Sequence, residues 1–291
     1  MLYDPQVMAP QVNRAAGQLS ERFRLPLTQQ NWSGMSGSWS GKGTGSSIDF
    51  QEHREYIAGD DPRHINWQAY ARTGEYVMKM YREEVTPVVD ILMDLSHSMF
   101  VSEEKALLSQ VLLNFCRESA LSNGASCRVW ALAGESTRRL DSSECELGQF
   151  ELRASNEGVL DSLDRVELRA GSLRILISDL LFMGDPINVI HRLNSSQGRL
   201  MFYVPADPSE FAPQWDGDID LINIESGELA QTHIDDKTLS AYHEAYRRHF
   251  TLWSEAALKN VAGLGVFYSH KALAQQFEKV GLSKGLVEEA L

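Results

Sequence analysis

The chain has 291 residues, 43% hydrophobic and 23% charged, with 40 acidic against 27 basic side chains and a formal charge of −13. That balance suits a globular protein and argues against a disordered chain. It also argues against a general nucleic-acid binder or a ligand of anionic membrane surfaces, both of which need a basic face.

No apolar run approaches the ~18 residues that cross a bilayer. Met1-Leu2-Tyr3-Asp4-Pro5 has neither the basic nor the apolar region of a signal peptide, so the expected location is cytoplasmic. Residues 1 to about 30 have helical spacing until Pro26 interrupts. From Asn31 to Ser47, 11 of 17 residues are Gly or Ser, a composition that cannot offset its ordering entropy by apolar burial and reads as a loop. Tyr76–Tyr81 reads as a strand. From Val88 the pattern changes: Val88–Met93 is a short apolar run, as in a parallel strand covered on both faces. Ser102 offers an N-cap to a helix with Leu107, Leu108, Val111, Leu112 and Phe115 at helical spacing, and Gly124 a stop. Strands follow at Cys127–Leu132, before Leu140, at Leu173–Ser178, at Leu200–Val204 (stopped by Pro205) and at Val266–Tyr268. Helices are expected at 159–166, 186–195, 236–260 and 272–280. Such alternation predicts an α/β fold with a doubly wound, mostly parallel sheet.

Residues 205–244 hold ten acids against one base, −9 of the −13 total, with an expected hairpin turning at Ser226-Gly227. It reads as a solvated hairpin or as an electronegative docking face for a basic partner. Cys116, Cys127 and Cys145 form no Cys-x-x-Cys pair and suit buried thiols in a reducing compartment.

Met93-Asp94-Leu95-Ser96-His97-Ser98-Met99 lies where an apolar strand gives way to a helix. In open α/β sheets ligands bind outside the carboxyl ends of strands. Asp94, Ser96 and Ser98 alternate, so a looped backbone turns three oxygens to one point, and Asp179 ends another strand near the same edge. Such oxygens suit Mg²⁺ or Mn²⁺. The spacing alone also suits a helix-capping loop.

Asp94-Leu95-Ser96-His97-Ser98 resembles the Asp-x-Ser-x-Ser signature of von Willebrand factor A-like domains, which form a metal-ion-dependent adhesion site. Arg54-Glu55-Tyr56-Ile57-Ala58-Gly59-Asp60-Asp61-Pro62-Arg63-His64-Ile65-Asn66-Trp67, with Ala71-Arg72 and Glu83-Glu84, resembles the hallmark of the domain-of-unknown-function-58 family. The resemblance is strong over Ser33 to Ser98 and architectural beyond. It implies a family-specific, β-rich lead segment over 1–86 and a von Willebrand factor A-like domain over 87–291, with the acidic hairpin inserted at about 205–235. It further implies a bacterial or archaeal, non-enzymatic module that works with a MoxR-type AAA+ ATPase in maturing or regulating a client. Ser96 and Ser98 would bind the metal directly, Asp94 and Asp179 largely through water, and a client carboxylate would complete the octahedron. The third-loop Thr of such domains has no clear counterpart; Ser155 is the nearest substitute. Some members carry two transmembrane helices ahead of the motif, and this chain has none.

Other motifs fail on spacing. Gly41-Lys42-Gly43-Thr44 lacks the upstream Gly and the adjacent Ser or Thr of a P-loop. His243 and His249, six apart, sit on different helix faces. A Mg²⁺-dependent phosphatase with Asp94 as nucleophile usually has a second Asp where Ser96 stands, and Ser cannot serve as the acid. A scaffold with a vacant metal site is the other alternative. Arg54, Arg63 and Arg72 with Asp60 and Asp61 suggest an ion-pair network around a turn.

Overall fold

The described residues are 5–27, 48–57, 62–83, 86–148, 159–182, 184–194 and 198–290. The computed structural model divides into two units, one of residues 1–29 with 87–291 and one of residues 30–86. Helix α1 (Pro5–Ser20) opens the first unit, with Met8, Val12, Ala16 and Leu19 as a buried stripe, and strand β1 (Phe23–Arg24) follows.

The smaller unit contains β2 (Ile48–Glu55), helix α2 (Trp67–Thr73) and β3 (Val77–Glu83). The strands pair antiparallel, with an irregularity between Phe50 and Glu52. Asn66 caps α2 by accepting the Ala69 N–H at 3.2 Å, and Gly74 ends it at φ +75°, a left-handed conformation that favours glycine. Tyr70 stacks on Tyr76 with ring centroids 4.5 Å apart. Arg54, Arg63 and Arg72 fall in this unit, but Asp60 and Asp61 of the expected ion-pair network lie outside the described residues, as does Gly41–Thr44.

In the larger unit the apolar run becomes β4 (Val88–Asp94). Val89, Ile91 and Met93 enter one apolar layer and Leu92 the opposite one, so the strand is covered on both faces. Next come α3 (Glu103–Ser122), β5 (Ser126–Leu132), β6 (Arg138–Leu140), α4 (Ser142–Leu147) and α5 (Val159–Leu163). They are followed by β7 (Leu173–Ile177), α6 (Pro186–Leu193), β8 (Arg199–Ala206), α7 (Pro208–Phe211) and the hairpin β9 (Gly217–Ile222) and β10 (Leu229–Ile234). The chain ends with α8 (Asp236–Lys259), β11 (Gly263–Tyr268), α9 (Leu273–Gln276), a π-helical turn at Phe277–Gly281 and β12 (Glu288–Glu289). Ser102 caps α3 as its sequence predicts, accepting the Lys105 N–H at 3.1 Å.

The central sheet has the order β6-β5-β4-β7-β8-β11 and is parallel except for β6. Counted by first appearance within the sheet, that is 3-2-1-4-5-6, the doubly wound order whose direction of winding reverses between β4 and β7.

Two expectations change. The lead segment of 1–86 is split, because the stripe of α1 belongs to the same apolar cluster as Val111, Leu112 and Phe115 of α3, and β1 pairs with β12. The first helix is therefore part of the sheet-bearing unit and not of a β-rich lead. Pro205 does not stop its strand. β7 ends at Ile177, opposite Tyr203, so at Pro205 strand β8 has only β11 beside it and the missing N–H is tolerated as at an edge. Burial raises the Cys127 thiol to about 11 and the Cys145 thiol to about 12, which keeps both protonated.

Candidate functional site

Three aspartates stand at the carboxyl ends of three adjacent parallel strands: Asp94 ends β4, Asp179 follows β7 and Asp207 follows β8. The first two flank the point where the winding reverses, the crevice in which doubly wound sheets bind ligands.

Asp94 is 1% exposed. Its Oδ1 accepts the Ser96 N–H at 2.9 Å and its Oδ2 the Ser178 hydroxyl at 2.7 Å. These bonds fold the backbone back after the strand, and a 3₁₀ turn at His97–Phe100 leads to α3. The Ser96 and Ser98 hydroxyl oxygens are thereby brought to 3.1 Å from one another. Burial, and after it the charge of Asp179, pushes the Asp94 carboxyl up to about 6, against the hydrogen bonds from Ser178 and Ser96.

Asp179, 3% exposed, has a different partner from the one its position suggests. Its Oδ2 accepts from the Lys105 ammonium at 2.9 Å and its Oδ1 from the Leu181 N–H at 3.0 Å. Lys105, in the first turn of α3, has no exposed surface and also pairs with Glu210 of α7. Burial lowers the Lys105 pKa, but the charges of Asp179 and Glu210 outweigh it and the net shift is upward. Burial raises Glu210 despite Lys105. Asp207 accepts the Ser102 hydroxyl at 2.6 Å and caps α7 through the Ser209 N–H at 3.0 Å.

A further acid comes from the hairpin. Glu225 Oε1 accepts the Ser98 N–H at 2.8 Å and Oε2 the His97 N–H at 3.2 Å, and His97 Nδ1 lies 3.5 Å from Oε2. His97 therefore faces the hairpin.

Of the five residues expected to hold a metal, the structure joins Asp94, Ser96 and Ser98 in one hydrogen-bonded loop and places Asp179 on Lys105. Ser155 lies outside the described residues. Lys105, Ser178, Glu210 and Glu225 are the members that sequence reasoning missed. Among the described residues no three His, Cys, Asp or Glu side chains form a metal-binding group, so a cation here depends on the serine hydroxyls. The donor chemistry fits a hard divalent ion: every candidate ligand atom is oxygen. Lys105 is shared by Asp179 and Glu210, while the buried Asp94 is met by the Ser96 N–H and the Ser178 hydroxyl and feels the charge of Asp179.

Fold and site together define a doubly wound α/β protein with an oxygen-rich loop at its topological switch point. The chain belongs to the DUF58 family, described as proteins of unknown function, whose model matches residues 52–251. Two solved structures are loosely similar. Conserved hypothetical protein BatB from Bacteroides thetaiotaomicron is 10% identical, with 68% of this chain and 100% of that one covered at a TM-score of 0.36. An aerotolerance-related membrane protein from Bacteroides fragilis NCTC 9343, carrying multiple mutations to serines, is 13% identical, with 68% and 98% covered at 0.36. No curated protein matches the chain. Among the described residues no helix is long and apolar enough to cross a membrane.

Proposed function

We propose that the larger unit is a von Willebrand factor A-like domain acting as a divalent-metal-dependent protein-interaction module, without catalysis of its own. The observation that carries this reading is a pair of buried aspartates, Asp94 and Asp179, at the switch point beside the neighbouring Ser96 and Ser98 hydroxyls. Ser96 and Ser98 would hold Mg²⁺ or Mn²⁺ through their hydroxyl oxygens, and Asp94 would hold it directly or through water. Asp179, paired with Lys105, would contribute mainly charge. The ion would supply a Lewis-acidic position for an incoming carboxylate. The chain's own residues orient the loop: Ser178 fixes Asp94, and Asp94 fixes the Ser96 backbone.

The partner we infer, from the motif at Arg54–Trp67, is a MoxR-type AAA+ ATPase, with a client that offers an acid. Calorimetric titration of Mg²⁺ and Mn²⁺ into the wild type and Asp94→Asn tests the metal. Uptake by the wild type that the variant loses supports the reading. Capture of the cognate ATPase that EDTA and Asp94→Ala leave unchanged would refute the metal-gated part.

A second reading has its own observation. Lys105 is fully buried between Asp179 and Glu210, so the domain already contains one resident cation. On that reading the chain is a scaffold, and the wild type takes up no divalent ion.

A further inference from the structure

Glu225 projects from the turn of the acidic hairpin onto the backbone of the candidate loop, 127 residues away from Ser98 in sequence. The turn is built to present it. The Asn223 side chain accepts the N–H groups of Glu225 at 2.9 Å and Ser226 at 3.1 Å, and Gly227 closes the turn at φ +74°. Apolar burial does not hold this tip down: Ile222 and Leu229, directly opposed across the hairpin, are 66% and 58% exposed. Among the described residues, the hydrogen bonds that tie the tip to the rest of the unit are those of the Glu225 carboxylate to His97 and Ser98.

We propose that Glu225 is an in-cis acidic ligand of the cation held by Asp94, Ser96 and Ser98, so that the site closes on the chain's own hairpin and a partner's carboxylate must displace it. The inference rests on the divalent-cation reading above. Each carboxylate oxygen has lone pairs beyond the one its N–H donor uses, so bonding to the loop and to an ion are compatible. Its carboxylate rests on the backbone segment that carries the Ser98 hydroxyl, and it adds a negative charge beside the loop that follows Asp94. A divalent ion there draws the carboxylate inward and binds more tightly for having it, since ligand charge count sets affinity in oxygen sites. The apolar side chains left exposed at the tip then form the outer surface that a partner meets first.

Mn²⁺ alone is the probe. It is titrated by calorimetry into the wild type, Glu225→Gln and Glu228→Gln, and water-proton relaxation counts the water molecules on the bound ion. Gln keeps an acceptor for the Ser98 N–H and loses the one that serves the His97 N–H, so the hairpin retains one of its two bonds to the loop. Glu225→Gln is expected to weaken Mn²⁺ by about tenfold and to add one coordinated water. Glu228→Gln removes the same charge from the same turn without touching the loop and is expected to change neither. Equal effects of the two variants, or an unchanged water number in Glu225→Gln, overturn the in-cis ligand and leave the cation reading standing. No uptake of Mn²⁺ by the wild type overturns both.

Discussion

Lys105 and Asp179 meet at 2.9 Å with 0% and 3% of their side chains exposed, so the cation nearest the switch point is part of the chain itself. A pair of this kind contributes little beyond an apolar replacement, because both charges lose their hydration, but breaking it from one side is costly. Lys105→Met leaves Asp179 and Glu210 without their counter-charge. It is expected to destabilise the protein by about 3–5 kcal/mol in urea denaturation. Adding Asp179→Asn and Glu210→Gln to it should recover most of the loss. A loss under about 1 kcal/mol for the single variant would mean that the pair is not buried as described.

The pH dependence of the metal-free protein follows from Asp94. Its folded-state value of about 6 is above the ordinary 3.8, so the folded form holds the proton more tightly. The stability this confers is complete below about 4 and is lost as pH rises through 6. At pH 7 the ionised, buried group costs ~3 kcal/mol relative to its protonated state, from the two-unit shift. Asp94→Asn keeps an acceptor for the Ser96 N–H and has no charge. In EDTA its stability should equal or trail the wild type near pH 4 and exceed it increasingly towards pH 7. A difference that is flat with pH would place Asp94 in a solvated setting.

Much of the scaffold is legible in the sequence because each element carries its own local signal. Val88–Met93 is apolar except for Asp90, whose buried carboxylate pairs with Arg169, and so apolar a run fits a strand covered on both faces. The Ser102 cap, the Gly124 stop and the Ser226-Gly227 turn each rest on the chemistry of one or two residues. The Asp94-Ser96-Ser98 loop was legible for the same reason. The parts that escaped depend on contacts between distant segments. Lys105 follows Glu103 and Glu104 in a helix's first turn and reads as a solvated charge; nothing local shows that β7 and α7 bring Asp179 and Glu210 over it. Glu225 is one of ten acids in its stretch, and its role depends on where the hairpin tip lands. The helix at the N-terminus was readable, but the resemblance placed it in a lead over residues 1–86, and nothing local to it shows that its stripe joins the apolar cluster of α3.

That misassigned helix gives a direct test. Val12 is buried in the apolar cluster shared by α1 and α3. Val12→Asp places an unpaired carboxylate there and is expected to cost about 3 kcal/mol or more, seen as a lower urea midpoint. The same substitution at Val7, which is 64% exposed on α1, should change stability by less than about 0.5 kcal/mol. Equal, small effects would detach α1 from the sheet-bearing unit and restore the lead over residues 1–86.

The last expectation concerns the face that the acidic hairpin presents. Asp218 and Asp220 of β9 are exposed, and Asp218 engages His233 at 2.7 Å on the surface, where such a pair adds little to stability. Carboxylates in that setting act at long range: they raise the rate of encounter with a basic partner and are screened as ionic strength grows, with a Debye length of ~10 Å at 0.1 M salt. Binding of the inferred ATPase should therefore weaken with salt. Asp218→Asn with Asp220→Asn should flatten that dependence, mainly through the association rate, while folding stability stays within about 0.5 kcal/mol of the wild type. An unchanged salt slope in surface plasmon resonance would remove the hairpin's flank from the docking face and leave its acids as solubilising charge.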